Sequence, residues 1–190
     1  MNTTIGIRKA LPTDYKAIAQ CLMLAMEDIF YVFIGEHSNE KAVDFLEQLV
    51  QKKDNQYSYE NCWLAVSENE VVGAGLVYDG AKLHQLRAPV AQEIKKVFGK
   101  DFNPEDETQA GEFYIDCVGV YPNQQGRGIG SAIFKFLIQE YVLQRKLTLG
   151  LLVEKNNPGA KNLYLKLGFE VMGDKILVGT HLEHLQFRLK

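Results

Sequence analysis

Ile5 and Ile7 alternate with polar neighbours, a pattern that predicts a short first strand. Apolar residues then recur at helical spacing through Ile18, Cys21, Leu22, Ala25, Met26 and Ile29, the stripe of a helix packed on one face. Pro12 and Thr13 open that helix, with Thr13 its expected cap. A second helix over 39–53 rests on Ala42, Val43, Leu46 and Val50. The stretch CWLAVSENEVVGAGLVYDG reads as two antiparallel strands joined at Glu68-Asn69-Glu70. Pro89 is expected to start a helix carrying Val90, Ile94, Val97 and Phe98, followed by a polar loop, GKDFNPEDETQAG.

EFYIDCVGV is the next strand, and a glycine-rich segment separates it from a helix whose inner face is Ile129, Ala132, Ile133, Phe136, Leu137 and Tyr141. LTLGLLV is apolar almost throughout, as a buried central strand is. Asn157 and Pro158 start a further helix with Ala160, Leu163, Tyr164 and Leu167 inward, and Gly168 stops it. The last stretch reads as a β-hairpin turning near Gly179. This order predicts an α/β (α+β) chain: a mixed, mostly antiparallel sheet of about seven strands flanked by helices. No repeat or linker interrupts it, so 1–190 is expected to form one domain.

Composition narrows the class. The chain has 190 residues, 46% hydrophobic and 24% charged, with a net charge of -3. No basic excess is available for nucleic acid. Three separated cysteines, Cys21, Cys62 and Cys117, suggest reduced thiols and a cytoplasmic setting. The first residues lack the apolar core of a signal peptide, and no run is expected to span a membrane. The four histidines have no metal spacing; in the H-x-x-H of 181–184, residues three apart on a strand face opposite sides.

The segment VYPNQQGRGIGSAIFKFLI carries the chemistry. Gly126, Gly128 and Gly130 lie where a strand gives way to a helix, so the N–H groups from Gly126 to Ser131 lack intrahelical partners. Those donors and the positive end of the helix suit a phosphate or pyrophosphate, and missing side chains let it approach the main chain. A Walker loop would need a lysine after Gly130, and a dinucleotide fingerprint would need glycine where Ser131 stands. A different pyrophosphate remains.

Gln125-Gly126-Arg127-Gly128-Ile129-Gly130 matches the Q/R-x-x-G-x-G/A signature of the GNAT superfamily of CoA-dependent N-acetyltransferases, which the chain resembles. DCVGVYP is similar to that family's central strand, and NPGAKNLYLKLGF to its N-x-x-A-x-x-L-Y-x-K-x-G-F segment. The 80–111 link is longer than the family's usual one and reads as an insertion, with a lid as one use for it. The resemblance implies acetyl-CoA as co-substrate, an amine acceptor, no metal, and direct transfer without a covalent enzyme intermediate. It places CoA along Val118, Gly119 and Val120, on Gln125 to Ser131, and beside Asn157, Ala160 and Tyr164. The N–H of Val118 is the expected oxyanion donor. The acceptor is expected near FYVFIGEH; Tyr57, Tyr59 and Trp63 are alternative wall residues, though aromatics there are more often core. A non-catalytic acyl-CoA-binding domain of the same fold is the alternative reading, and the chain is expected to be a monomer or homodimer.

Chemistry sets the remaining requirements. An alkylamine with a pKa of ~10.4 is almost wholly protonated at neutral pH, and releasing the neutral form costs on the order of 4–5 kcal/mol. Asp116, nine residues before Gln125, is the expected base, since the resemblance lines it up with a carboxylate of polyamine-type relatives. Glu112 is a second candidate, or a contact for a cationic substrate; the two share a face under simple alternation unless a bulge intervenes. Tyr164, which the resemblance matches to the tyrosine near the CoA sulfur in many relatives, is the expected acid for the leaving thiolate. Cys117, with no activating partner, reads as a small buried apolar residue.

Overall fold

The computed structural model describes residues 5–189. Its strands are β1 (Gly6–Lys9), β2 (Cys62–Ser67), β3 (Glu70–Asp79), β4 (Phe113–Val120), β5 (Leu149–Glu154), β6 (Glu170–Leu177) and β7 (Thr180–Phe187). Its helices are α1 (Tyr15–Ile34), α2 (Asn39–Gln51), α3 (Leu83–Phe98), α4 (Ile129–Leu137) and α5 (Pro158–Leu167). The strands form one sheet in the order β1-β2-β3-β4-β5-β7-β6. Only β4 and β5 run parallel; the other neighbours are antiparallel.

Alternation along the strands divides the core between two faces. Leu64, Ala74, Leu76 and Cys117 pack with α1, α2 and α3, whereas Ala65, Val77, Ile115 and Leu151 pack with α4. α5 adds half-buried Ala160, Tyr164 and Leu167 to the second face. The β2–β3 turn holds Glu68 and Asn69 at φ 51 and 67, as a tight hairpin with the right-handed strand twist requires. The β6–β7 turn does the same with Val178 and Gly179 and returns the terminal hairpin to its own sheet, against β5.

Three expectations are corrected. Thr13 does not cap α1: residues Pro12–Asp14 form a 3-10 turn, and Asp14 accepts the Leu11 N–H at 2.8 Å and pairs with Arg8. Pro89 lies inside α3 rather than at its start. The preceding turn is instead seeded by Asp79, whose side chain accepts the Ala81 N–H, and Leu83 and Leu86 are buried beside Tyr78 and Tyr114. Pro12–Ile34 is long and apolar enough to cross a membrane by length and composition, but half of its apolar window is buried, with Ile18, Leu22 and Phe30 in the core.

Two features of β4 shape the site. It pairs with β5 only from Phe113↔Leu149 to Ile115↔Leu151, after which β5 stays with β7 and β4 with β3. The edge of β4 from Asp116 to Val120 that faces β5 therefore carries no strand. Opposite, the β3 register steps between Leu76↔Cys117 and Val77↔Ile115, leaving Asp116 as the extra residue of a bulge.

Candidate active site

The gap between β4 and β5 opens into a cleft of ≈ 620 Å³. The N-terminus of α4 forms one end and α5 one side. Among the residues expected to hold CoA, Val118, Gly119, Val120, Gln125, Gly126, Gly128, Ile129, Gly130, Ser131, Ala160 and Tyr164 all line it. Arg127 and Asn157 do not. The Arg127 side chain turns to Gln124, and Asn157 Oδ1 accepts the Ala160 N–H at 3.1 Å as the cap of α5. Leu24, Gln124, Phe134 and Leu163 complete the lining; Leu163 belongs to the NPGAKNLYLKLGF segment, and none of the four is among the residues expected to hold CoA.

The glycines differ in what they require. Gly126 and Gly128 sit at φ 75 and 78, and Gly128 is the N-cap residue of α4. A Cβ at either would meet nothing within 4 Å, so packing does not exclude side chains there. Left-handed backbone does, and a side chain would occupy space facing the cleft. Gly119 answers to packing instead: a Cβ would lie 1.9 Å from the Cys21 carbonyl oxygen of α1.

Tyr164 stands on α5 with its ring against Phe134 at 5.0 Å and Phe169 at 6.2 Å. Its ring is thus part of the core and its residue part of the cleft wall. The hydroxyl has no hydrogen bond to the other described residues. Burial raises its pKa, and the nearby Cys117 thiol adds to the shift. Such a hydroxyl stays protonated at neutral pH and can donate.

Asp116 lines a second, smaller pocket of ≈ 40 Å³. Leu24 of α1 and Val118 of β4 belong to the cleft, whereas Met26 and Asp116 belong to this pocket. The two spaces therefore adjoin across two residues of each element. At this point α1 departs from helical geometry, with Met26 at φ -140 and ψ 26. Burial raises the Asp116 carboxyl to about 8; the Glu107 charge adds to this, and a hydrogen bond from Gln56 and the Arg87 charge oppose it. Gln56 Nε2 donates to Asp116 at 3.3 Å and to Glu107 at 2.8 Å, Tyr78 donates its hydroxyl proton to Glu107 at 2.8 Å, and Arg87 forms a buried ion pair with Glu107. In the sequence Glu107 sits in the polar loop GKDFNPEDETQAG with nothing to mark it as buried, and no motif marks Gln56 or Arg87.

Glu112 is not brought to either space. Thr108 donates to its Oε1 at 2.7 Å, His184 Nε2 lies 2.8 Å from its Oε2, and Gln186 donates to Oε2 at 2.7 Å. The carboxylate lies under Gly150, where a Cβ would come within 2.0 Å of it. Burial alone would push its pKa up, but the hydrogen bonds from His184, Thr108 and Gln186 outweigh that and hold it below the ordinary value. Glu112 ties β4 to β5 and β7, so the expected role as base or substrate contact is corrected to a structural one.

Phe33 from FYVFIGEH and Tyr57 line the Asp116 pocket. Tyr59 and Trp63 do not; Trp63 packs on Phe136 and donates its indole N–H to Tyr141 at 3.1 Å. Burial, reinforced by the Asp116 charge, pushes the Cys117 thiol well above its ordinary pKa, which leaves it no thiolate for nucleophilic work. Among the described residues no group of three or more His, Cys, Asp and Glu side chains is arranged to hold a metal ion.

A parted strand pair, a glycine-capped helix at one end of the gap and a tyrosine beside it define an acyltransferase fold. The acetyltransferase (GNAT) family model matches residues 23–169, and the chain belongs to that family and is an acyltransferase enzyme. A crystal structure of an acetyltransferase superposes with TM-score 0.82 at 27% identity, over 97% of this chain and 100% of that one. An N-acetyltransferase from Staphylococcus aureus Mu50 has the same fold, with TM-score 0.80 at 23% identity over 96% of this chain and 100% of that one. Among curated proteins, acetyltransferase SG1711 of Sodalis glossinidius (strain morsitans) is 27% identical over 93 residues; the match spans 49% of this chain and 63% of that relative.

Proposed function

We propose that this enzyme transfers an acetyl group from acetyl-CoA to a primary amine by direct attack. The observation that carries the reading is the unpaired edge of β4 from Asp116 to Val120, with the glycine-capped start of α4 beyond one end and the Asp116 pocket at the other. An extended pantetheine arm can add to that edge as a strand would. The diphosphate would rest on the amides of 126–131, and the Val118 N–H would face the developing oxyanion.

Protons balance as follows. The ammonium substrate gives one proton to ionised Asp116, and the neutral nitrogen attacks the acetyl carbon. The N–C bond forms, the C–S bond breaks, and the thiolate takes a proton from Tyr164. Asp116 returns its proton to solvent, and the acylated nitrogen gives up its second proton, which restores Tyr164 through solvent. The raised pKa of Asp116 suits it to this exchange, because a base titrating near the working pH combines ionisation with basicity. Three free cysteines, all buried, fit a reducing cytoplasmic compartment.

The test is steady-state thiol release by Tyr164→Phe. The account expects kcat to fall by ~10²-fold or more with CoA affinity unchanged, the size of a general-acid contribution. An unchanged kcat would remove Tyr164 from the chemistry.

A further inference from the structure

The Asp116 pocket differs sharply from the cleft it adjoins. Its walls are apolar: Met26, Ile29, Phe33 and Phe102, with Leu177 from the terminal hairpin. Phe33 and Phe102 meet edge to face at 4.4 Å, so the 80–111 insertion supplies one aromatic side of the pocket. That segment is also tied down. Arg87 donates to the carbonyls of Pro104 at 3.0 Å and Glu105 at 3.2 Å, the Val178 N–H donates to Glu105 at 3.0 Å, and Lys175 donates to the Asp106 carbonyl at 3.0 Å. It thus forms one wall of the pocket and is hydrogen-bonded to the terminal hairpin.

The floor is polar and incompletely used. Glu107 is compensated by Arg87, whose other carboxylate partner is Asp106 at 3.2 Å. Asp116 has no basic partner within ion-pair distance among the described residues; Gln56 is its one hydrogen-bond donor there. Gln56 is 4% exposed, yet its Oε1 has no partner, and neither does Arg87 Nε. One carboxylate and one amide oxygen are thus left for a ligand that brings N–H groups, while Arg87 Nε leaves a place for one acceptor atom. A buried acid and an unpaired amide are costly unless a ligand or water satisfies them.

Resting on the acetyl-transfer reading, we propose that the acceptor is a small primary amine carried on an apolar, flat or branched body, such as an arylalkylamine, and not a polyamine, sugar amine or protein lysine. The ammonium would lie between Asp116 and Gln56 Oε1, and the hydrocarbon against Phe33 and Phe102. A polyamine would bring a second cation to apolar walls that offer no second uncompensated carboxylate. A volume of ≈ 40 Å³ suits an amine and its first carbons, with the remainder of the body along the aromatic rim.

Thiol release with acetyl-CoA and calorimetric binding in the presence of CoA are measured for 2-phenylethylamine, isopentylamine, spermidine, glucosamine and a lysine-bearing peptide. The proposal expects the two apolar amines to exceed the others in kcat/KM by about tenfold or more, the discrimination such a pocket can supply. Phe102→Ala should raise KM for 2-phenylethylamine and leave CoA affinity unchanged. Binding of 2-phenylethylamine without turnover of any amine keeps the pocket assignment and overturns the transfer reading. Spermidine or the peptide binding more tightly than 2-phenylethylamine, or no binding by either apolar amine, overturns the pocket assignment.

Discussion

Asp116 and Glu112 lie on one stretch of chain and are shifted in opposite directions by their surroundings. Glu112 is met by three donors, whereas Asp116 is met by one amide and the charge of Glu107. With its carboxyl raised to about 8, folded Asp116 keeps a proton that the unfolded chain has already released. Between the ordinary value of about 4 and that raised value, the folded state binds more protons, so this residue's contribution to stability falls as pH rises. Asp116→Asn removes the penalty. Its Tm gain over the unsubstituted chain should grow from about pH 5 to about pH 8 and reach ~2 °C or more, given the usual conversion for a domain of this size. A Tm difference independent of pH would deny the raised carboxyl. Activity should move the opposite way: kcat/KM rises as Asp116 ionises, and the substitution flattens that limb.

Among the elements, the glycine-capped start of α4 and the close approach of α1 to β4 put two glycines under different constraints. Gly128→Ala adds a Cβ in open space on left-handed backbone, a strain of ~1–2 kcal/mol, at the edge of the cleft. Gly119→Ala drives a Cβ into the Cys21 carbonyl and forces α1 from the sheet, at ~1–3 kcal/mol or more. Calorimetry should find CoA affinity reduced in Gly128→Ala while the fold persists. Melting should find the larger Tm loss in Gly119→Ala. Equal CoA affinity in Gly128→Ala and the unsubstituted chain would contradict the anion cradle.

What the sequence disclosed follows the same division of scale. Local patterns were legible: the glycine segment, the Asn157 cap, both tight hairpin turns and the apolar stripes all act within a few residues. α3 was misplaced because Pro89 was weighed as a start signal, while Asp79 and the burial of Leu83 and Leu86 carry the helix through it. The acid cluster was hidden because Gln56, Tyr78, Arg87, Glu107 and Asp116 come from separate elements and meet only in the fold. Glu112 was misassigned for a related reason, since His184 and Gln186 reach it from β7, far along the chain.

For the molecule as a whole, the decisive feature is that a seven-stranded sheet comes apart at its one parallel pair. On one side of the free edge of β4 lies room for a long, anionic-headed cofactor, and on the other a narrow apolar pocket with an acid at its base. α1 changes course where the two meet. Residues of 80–111 and of the terminal hairpin close the narrow side, so on the proposed reading two segments away from the glycine and Asn157 segments would meet the acceptor, while the sheet edge would meet the donor.

A crystal structure of the chain with CoA tests this arrangement most directly. The account predicts the diphosphate on the main-chain amides of residues 126–131, the pantetheine arm along Val118 to Val120, and the sulfur within hydrogen-bond reach of the Tyr164 hydroxyl. A diphosphate bound elsewhere, or an arm that leaves the β4 edge bare, would contradict it.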